Sequence, residues 1–205
     1  MRRTVSAIAV FVAAGLLAGA CGSSKSSSAP GAGSSTTASA GSPSSTPPEV
    51  SPQGDIPDSQ VYVVETGPAG NYTVKVPEGW ARTMAGSAVS FTDKLNTIRV
   101  ETVTAAVAPS VASATATEEP KIAQTASQYQ AGKVSLVTRT SGPAVLITYE
   151  AASAPNSVTG KTIRLAVERY EFWARGTEAI VTLSGPVGAD NVDPWKLVTD
   201  SFTWK

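Results

Sequence analysis

The sequence predicts an α+β domain in which helices pack on an antiparallel sheet of six to eight strands. From residue 61 onward, segments that alternate apolar and polar residues recur, and this is the period of half-buried strands. Gly- and Pro-containing turn signals separate these segments at short intervals. In two stretches, residues 117–132 and 193–200, the pattern changes to one that favours a helix.

The first half of the domain contributes four predicted strands. Residues 61–64 form an edge strand, and residues 71–76 alternate until Pro77, which cannot donate a hydrogen bond to a neighbouring strand. Residues 88–93 form the third strand, and a polar turn leads from it into a longer strand over residues 97–107.

A helix is predicted between Thr117 and Gly132. Ile122, Ala126 and Tyr129 recur at spacings of four and three, which places them on one helix face. Thr117 is the predicted N-cap and Gly132 the predicted C-terminal cap. Two acidic residues at the start, Glu118 and Glu119, would stabilise the helix by interacting with the positive end of its dipole.

Four further strands are predicted, at residues 133–140, 143–152, 161–174 and 177–184. Arg175 and Gly176 form the turn of a hairpin between the last two. Apolar residues fall on both parities of the strand over residues 161–174, which indicates either a bulge or a sheet covered on both faces. We favour the covered sheet, because the preceding strand shows the same pattern.

The chain is predicted to end with a helix and a short strand. Asp193 is the predicted N-cap and Pro194 occupies the first helical position, where a missing N–H costs nothing. The helix ends near Asp200, and residues 201–204 form the last strand.

The N-terminus carries the pattern of an exported lipoprotein. Arg2 and Arg3 precede an apolar segment and a run of small residues that ends at Cys21, the only cysteine. The segment is shorter than the ~20 residues that span a bilayer. It resembles the lipobox of bacterial lipoproteins, although Ala18 stands where that family prefers Leu. The resemblance implies a signal peptide over residues 1–20 and a diacylglyceryl group on Cys21, which anchors the chain at the extracytoplasmic face of the cell membrane. The alternative is an incidental thiol in an ordinary signal peptide.

Residues 21–58 are predicted to be a disordered tether ahead of a folded domain over residues 59–205. The tether consists almost entirely of Ser, Gly, Ala, Thr and Pro and cannot bury enough apolar surface to order itself. Some 35 flexible residues have a reach of roughly 30–35 Å. Once Arg2 and Arg3 are removed, 14 basic residues face 16 acidic ones. Without a basic run, the sequence gives no support to nucleic-acid binding.

The residue types that enzymes use are scarce. The chain has no histidine, the usual general base and the commonest metal ligand, and its single cysteine is assigned to the lipid. Glu168 and Glu171 lie three apart on a strand, so they face opposite sides of the sheet. Asp190 and Asp193 lack the spacing of a calcium loop. The sequence therefore predicts a non-enzymatic protein without a cofactor or metal.

Two motifs resemble those of PsbP-like domains. The first is the run over residues 72–80, which ends in Val-Pro-Glu-Gly-Trp and is followed by the strands near residues 89–93 and 98–100. The second is the tryptophan-bearing final helix, which leads into Asp-Ser-Phe at residues 200–202. The resemblance implies the α/β/α sandwich of the Mog1/PsbP type, a group that includes LpqN-type lipoproteins. It also implies a non-enzymatic binding or assembly module, without naming a partner.

Two functions remain open from the sequence. A module that binds an envelope protein predicts a filled core and a flat patch with exposed aromatic residues such as Trp173 or Tyr170. A carrier of a small apolar ligand, for example an envelope lipid, requires a cavity of about 300–1,000 Å³ between sheet and helices. We favour the interaction module. Trp80 either caps the core or belongs to a recognition surface, whereas Trp195 and Trp204 are predicted to lie in the core.

Overall fold

The computed structural model describes residues 53–205. The predictions for the signal peptide, Cys21 and the tether up to residue 52 lie outside the described residues. The strands are β1 (Tyr62–Thr66), β2 (Tyr72–Pro77), β3 (Ala81–Ala85), β4 (Ala88–Asp93), β5 (Asn96–Thr104), β6 (Gln130–Arg139), β7 (Gly142–Ala152), β8 (Arg164–Ala174), β9 (Thr177–Pro186) and β10 (Thr203–Trp204). The helices are α1 (Val111–Ser113), a π-helical turn (Ala114–Glu118), α2 (Glu119–Thr125) and α3 (Val192–Ser201).

The strands form two antiparallel sheets. The large sheet has seven strands in the order β3-β4-β5-β9-β8-β7-β6, and the small sheet has three in the order β1-β2-β10. The predicted α+β class, with helices on an antiparallel sheet of six to eight strands, is confirmed. The prediction did not separate the small sheet from the large one.

The main core lies between the large sheet and a layer made of the small sheet and α3. Its centre is Phe202, which follows α3 and stacks on Phe172 of β8 at 4.6 Å between ring centroids. Tyr72 of β2 also stacks on Phe202, at 5.4 Å between ring centroids. Trp195 is buried in this core, as predicted, and Trp204 packs against its edge.

The opposite face of the large sheet is covered by the helical segment over residues 111–125. Ala114 packs there on Val145 and Ile147 of β7. The predicted helix is present, but its predicted bounds, residues 117–132, are wrong: the helical segment begins at Val111 and ends at Thr125. Ser110 caps its start, because its side chain accepts a hydrogen bond from the Ser113 N–H and the Ser113 hydroxyl accepts one from the Ser110 N–H.

Gly132, the predicted C-terminal cap of that helix, lies inside β6 at a break in the register with β7. A Cβ atom at residue 132 would stand 2.4 Å from the carbonyl oxygen of Thr148. The glycine is therefore explained by close approach of two backbones at a bulge rather than by a helix end.

β8 confirms the interpretation of a sheet covered on both faces. Tyr170 and Phe172 point into the main core, whereas Val167 and Glu171 are buried on the helix-covered face. The pairing of β8 with β7 and with β9 runs without a register shift, so the strand contains no bulge.

Two predicted positions near the ends of the domain differ in the structure. α3 begins at Val192 with Asn191 at the N-cap position, two residues earlier than the predicted N-cap Asp193. Ile56 is buried in the main core, so the folded region starts before the predicted boundary at Ser59.

β3 is a strand that the sequence does not predict, because all five of its residues are exposed and show no alternation in burial. Within residues 53–205, no helix has the length and apolarity needed to cross a bilayer.

Candidate functional site

The candidate site lies on the helix-covered face of the large sheet, where the chain leaves β5 and crosses towards α1. The register of β8 with β9 places Trp173 directly opposite Glu178. Glu171 lies two residues before Trp173 on the same face, so it is a diagonal neighbour of Glu178. Val145 of β7 stands opposite Glu171. One face thus brings two carboxylates and an indole together.

The crossing loop over residues 105–110 and the start of the helical segment form two adjoining clefts above these side chains. The acidic end has a volume of about 260 Å³ and is lined by the carboxylates of Glu118, Glu171 and Glu178. The aromatic end has a volume of about 230 Å³ and is lined by Trp173 and Leu136. Ala108, Pro109 and Glu171 line both ends. We call this feature the two-part cleft.

Trp173 is held in place while remaining partly exposed. Its indole N–H donates a hydrogen bond to the carbonyl oxygen of Ala105 at 2.8 Å, which fixes the ring beneath the crossing loop. Leu136 on β6, at the same end of the cleft, is 64% exposed. Partly exposed aromatic and apolar side chains that are held rigidly are typical of protein contact sites.

Glu171 is the most deeply buried charge at the site, with 1% of its surface exposed. Its Oε1 accepts a hydrogen bond from Nε of Arg169 at 2.9 Å, while Oε2 has no hydrogen-bond partner among the described residues. Burial raises the pKa of the Glu171 carboxyl, and the Arg169 charge opposes that shift. Arg169 also lies 3.7 Å from Glu118, so a single guanidinium serves two carboxylates.

Glu178 has fewer polar partners than Glu171. Burial, and then the negative charge of Glu171, raises the pKa of Glu178 to about 7. Within residues 53–205, its carboxyl group makes neither a hydrogen bond nor an ion pair with another side chain. Near neutral pH the site therefore exchanges a proton at Glu178, although it contains no histidine.

Replacement of Glu178 by Gln is expected to stabilise the fold at pH 8 by about 1 kcal/mol, a value reduced for solvent screening. The folded state binds the Glu178 proton more tightly than the unfolded chain, whose pKa is near 4.5. The stability that this proton contributes is lost as the pH rises through about 7, so the benefit of Gln should disappear near pH 4. Urea unfolding at both pH values measures this. The exposed Glu78, changed to Gln, is the control; an equal gain there would contradict the assignment.

The cluster is not arranged to hold a metal. No group of three or more His, Cys, Asp or Glu side chains within residues 53–205 has the geometry to ligate an ion. The carboxylates instead face Arg169, Lys121 and the open cleft, an arrangement suited to binding a cationic or hydrogen-bonding group.

The structure separates the three aromatic residues that the sequence suggested for an interaction surface. Trp173 lies at the aromatic end of the two-part cleft. Tyr170 is 2% exposed and faces the main core, so it offers no contact surface; its hydroxyl donates to Glu168 and accepts from Arg139. Trp80 packs against the core and lines a different pocket of about 440 Å³ beside Gln53.

No sequence motif marks the two carboxylates of the site. The spacing of Glu171 from Glu168 predicts only that the two face opposite sides of the sheet, and no local pattern marks Glu178. The predicted turn at Arg175 and Gly176 is the sequence feature from which the position of Glu178 could be inferred. A two-residue hairpin loop fixes the register, and that register puts Glu178 opposite Trp173.

No protein-family model and no curated protein matches the chain. Solved structures do match. A protein from Bacteroides thetaiotaomicron has 9% identity and a TM-score of 0.45 over 69% of this chain, which spans 48% of that protein's length. Cyanobacterial PsbP from Synechocystis sp. has 14% identity and a TM-score of 0.44 over 75% of this chain and 99% of its own.

LpqN of Mycobacterium tuberculosis, which is involved in cell envelope biogenesis, has 12% identity and a TM-score of 0.42 over 72% of this chain and 92% of its own. PsbP and LpqN belong to the group that the sequence motifs resemble. Because the identities and TM-scores are low, we transfer no function from these proteins.

Proposed function

We propose that the chain is a lipid-anchored envelope protein whose folded domain binds a protein partner without catalysing a reaction. The pattern around Cys21 supports the anchor, and the composition of the following residues supports a tether that lifts the domain off the membrane. The absence of histidine from the sequence supports a role without general-base chemistry.

The observation that carries the binding role is the two-part cleft. It places the partly exposed Trp173 and the exposed Leu136 beside the buried carboxylate of Glu171 and the half-buried carboxylate of Glu178, in a site open to solvent. The main core is filled by stacked aromatic rings such as those of Phe172 and Phe202, which favours a contact surface over an internal ligand chamber. A carrier of an apolar ligand is the second candidate, and the same cleft would then hold that ligand.

Photo-crosslinking in intact host cells tests this proposal. With p-benzoylphenylalanine in place of Leu136, we expect irradiation to join the full chain to one protein of the envelope. The same photoreactive residue at Val158, 90% exposed on the β7–β8 connection, is the control and should give no such product. Replacing Trp173 by Ala should abolish the product, and replacing Cys21 by Ala should do so by releasing the chain from the membrane.

Three other outcomes of these experiments would count against parts of the proposal. A product with lipid in place of protein would favour the carrier. If crosslinking from Leu136 and from Val158 were equal, the cleft would not be the contact site. If the Cys21→Ala chain stayed in the membrane fraction, the lipid anchor would be disproved.

A further inference from the structure

The charged groups that surround Glu171 and Glu178 do not balance. β5 contributes Arg99 and Glu101, which pair with each other through two contacts of 2.6 and 2.7 Å. The remaining charged groups lie on β8, β9 and the helical segment: Arg169, Glu171, Glu178, Glu118 and Lys121. There are thus four carboxylates and three cations.

The pairing shows which carboxylate lacks a cation. Lys121 lies 2.9 Å from Glu118, and the guanidinium of Arg169 is engaged by Glu171 at 2.9 Å. Glu178 is left without a cation among the described residues, and so is the second oxygen of Glu171. An unpartnered carboxylate oxygen on a side chain this deeply buried costs free energy, which a bound cation would recover.

We infer that the two-part cleft binds a lysine side chain of the protein partner, with its ammonium group between Glu171 and Glu178. This inference rests on the proposed partner-binding function and specifies the chemistry of the partner. The methylene stem of the lysine would lie along Pro109 and Trp173, which line the adjoining end of the cleft.

Lysine fits the available acceptors better than arginine. A guanidinium binds best when both oxygens of one carboxylate accept its two parallel N–H groups. Glu171 offers one oxygen only, because Oε1 already accepts from Arg169. An ammonium group is a point charge with three donors, so it suits one oxygen from each of two neighbouring carboxylates.

The pH dependence of binding gives a signature that a merely structural role would not produce. The ammonium favours the ionised form of Glu178, whose pKa in the free protein is about 7. Affinity should therefore fall by about tenfold or more between pH 8 and pH 5.5, as Glu178 takes up its proton. The ion pair of Arg99 and Glu101 persists over this range, because the hydrogen bond from Arg99 holds the pKa of the Glu101 carboxyl below its ordinary value.

The test uses the full chain, purified in detergent, and a phage library of short random peptides selected at pH 8. We expect the enriched peptides to share one lysine position. Changing that lysine to norleucine, which keeps the stem and removes the charge, should weaken binding at least tenfold. Glu178→Gln in the chain should weaken it similarly and flatten the pH profile, whereas Glu78→Gln should leave it unchanged. Because Glu178→Gln is expected to stabilise the fold at pH 8, lost binding would not reflect unfolding.

Two other results would overturn the inference, and they differ in what they say about the proposed function. Enriched peptides that lack a shared lysine, or that carry arginine there, yet lose binding on Trp173→Ala, would disprove the lysine site and leave the partner-binding cleft standing. A selection that yields no peptide dependent on Trp173 would contradict both.

Discussion

Replacement of Asn191 by Ala is expected to lower the free energy of unfolding by about 3 kcal/mol or more, because it leaves several buried polar groups without partners. Asn191 is 3% exposed. Its Oδ1 accepts a hydrogen bond from the Ile56 N–H at 2.8 Å, and its Nδ2 donates to the carbonyl oxygen of Gly54 at 3.0 Å and to Oδ1 of Asn96 at 3.1 Å.

Urea unfolding of the full chain measures this loss, and Asp193→Ala is the matched control. Asp193 is exposed in the first turn of α3, so its removal should cost a few tenths of a kcal/mol through the helix dipole alone. Had Asp193 been the N-cap, as the sequence predicted, its removal would cost about 1 kcal/mol. Equal losses for the two variants would contradict the role assigned to Asn191.

The Asn191 side chain does more than occupy the N-cap position of α3. With Asn96 it holds the backbone of residues 54–56 against the end of the large sheet. Gly185 makes room for this pair: a Cβ atom there would lie 2.5 Å from the Asn96 Oδ1 and 2.9 Å from the Asn191 Nδ2. The chain that arrives from the predicted tether is thus fastened to the domain by two buried amides.

The parts of the fold that were predictable are those where burial alternates along the chain. β2, with burial on every second residue at its start, matches the predicted strand closely, while the wholly exposed β3 carries no such signal. The predicted helix extends too far towards the C-terminus because the spacing of Tyr129 from Ile122 and Ala126 matches one face of a helix. Tyr129 instead lies beyond α2 and packs on Tyr149 at 5.6 Å, so the residue covers the sheet without being helical.

The candidate site was half predictable. Trp173 is predictable because it stands beside a turn, which is a purely local feature. The raised pKa values of Glu171 and Glu178 depend on desolvation of their carboxyl groups. The residues of the crossing loop and the helical segment that cover them lie more than 50 positions earlier in the sequence. The sequence predicts neither where this loop crosses the sheet nor how deeply it buries the carboxylates, since both depend on tertiary packing.

Replacement of Arg169 by Met is the second change with a large expected effect, a loss of about 3 kcal/mol at pH 8. Arg169 is the only cation that contacts Glu171 among the described residues, at 2.9 Å. Met fills a similar volume without charge, so Glu171 would remain buried beside an apolar neighbour. The energetic cost comes from an ionised carboxylate that has lost its partner in a low-dielectric site.

The pH dependence separates this cost from a packing defect. Removing the guanidinium raises the pKa of Glu171 further above 4.5, the value expected in the unfolded chain. The folded variant then binds the Glu171 proton more tightly than the unfolded variant does. The free energy of unfolding therefore falls as the pH rises from about 4.5, and the loss caused by Arg169→Met is smaller at pH 5 than at pH 8. A double variant with Glu171→Leu should recover most of the stability and lose this pH dependence, since an apolar pair can replace a buried ion pair at little cost. If the double variant were as unstable as Arg169→Met at both pH values, the packing of the Arg169 side chain, and not the stranded charge of Glu171, would hold this face of the sheet together.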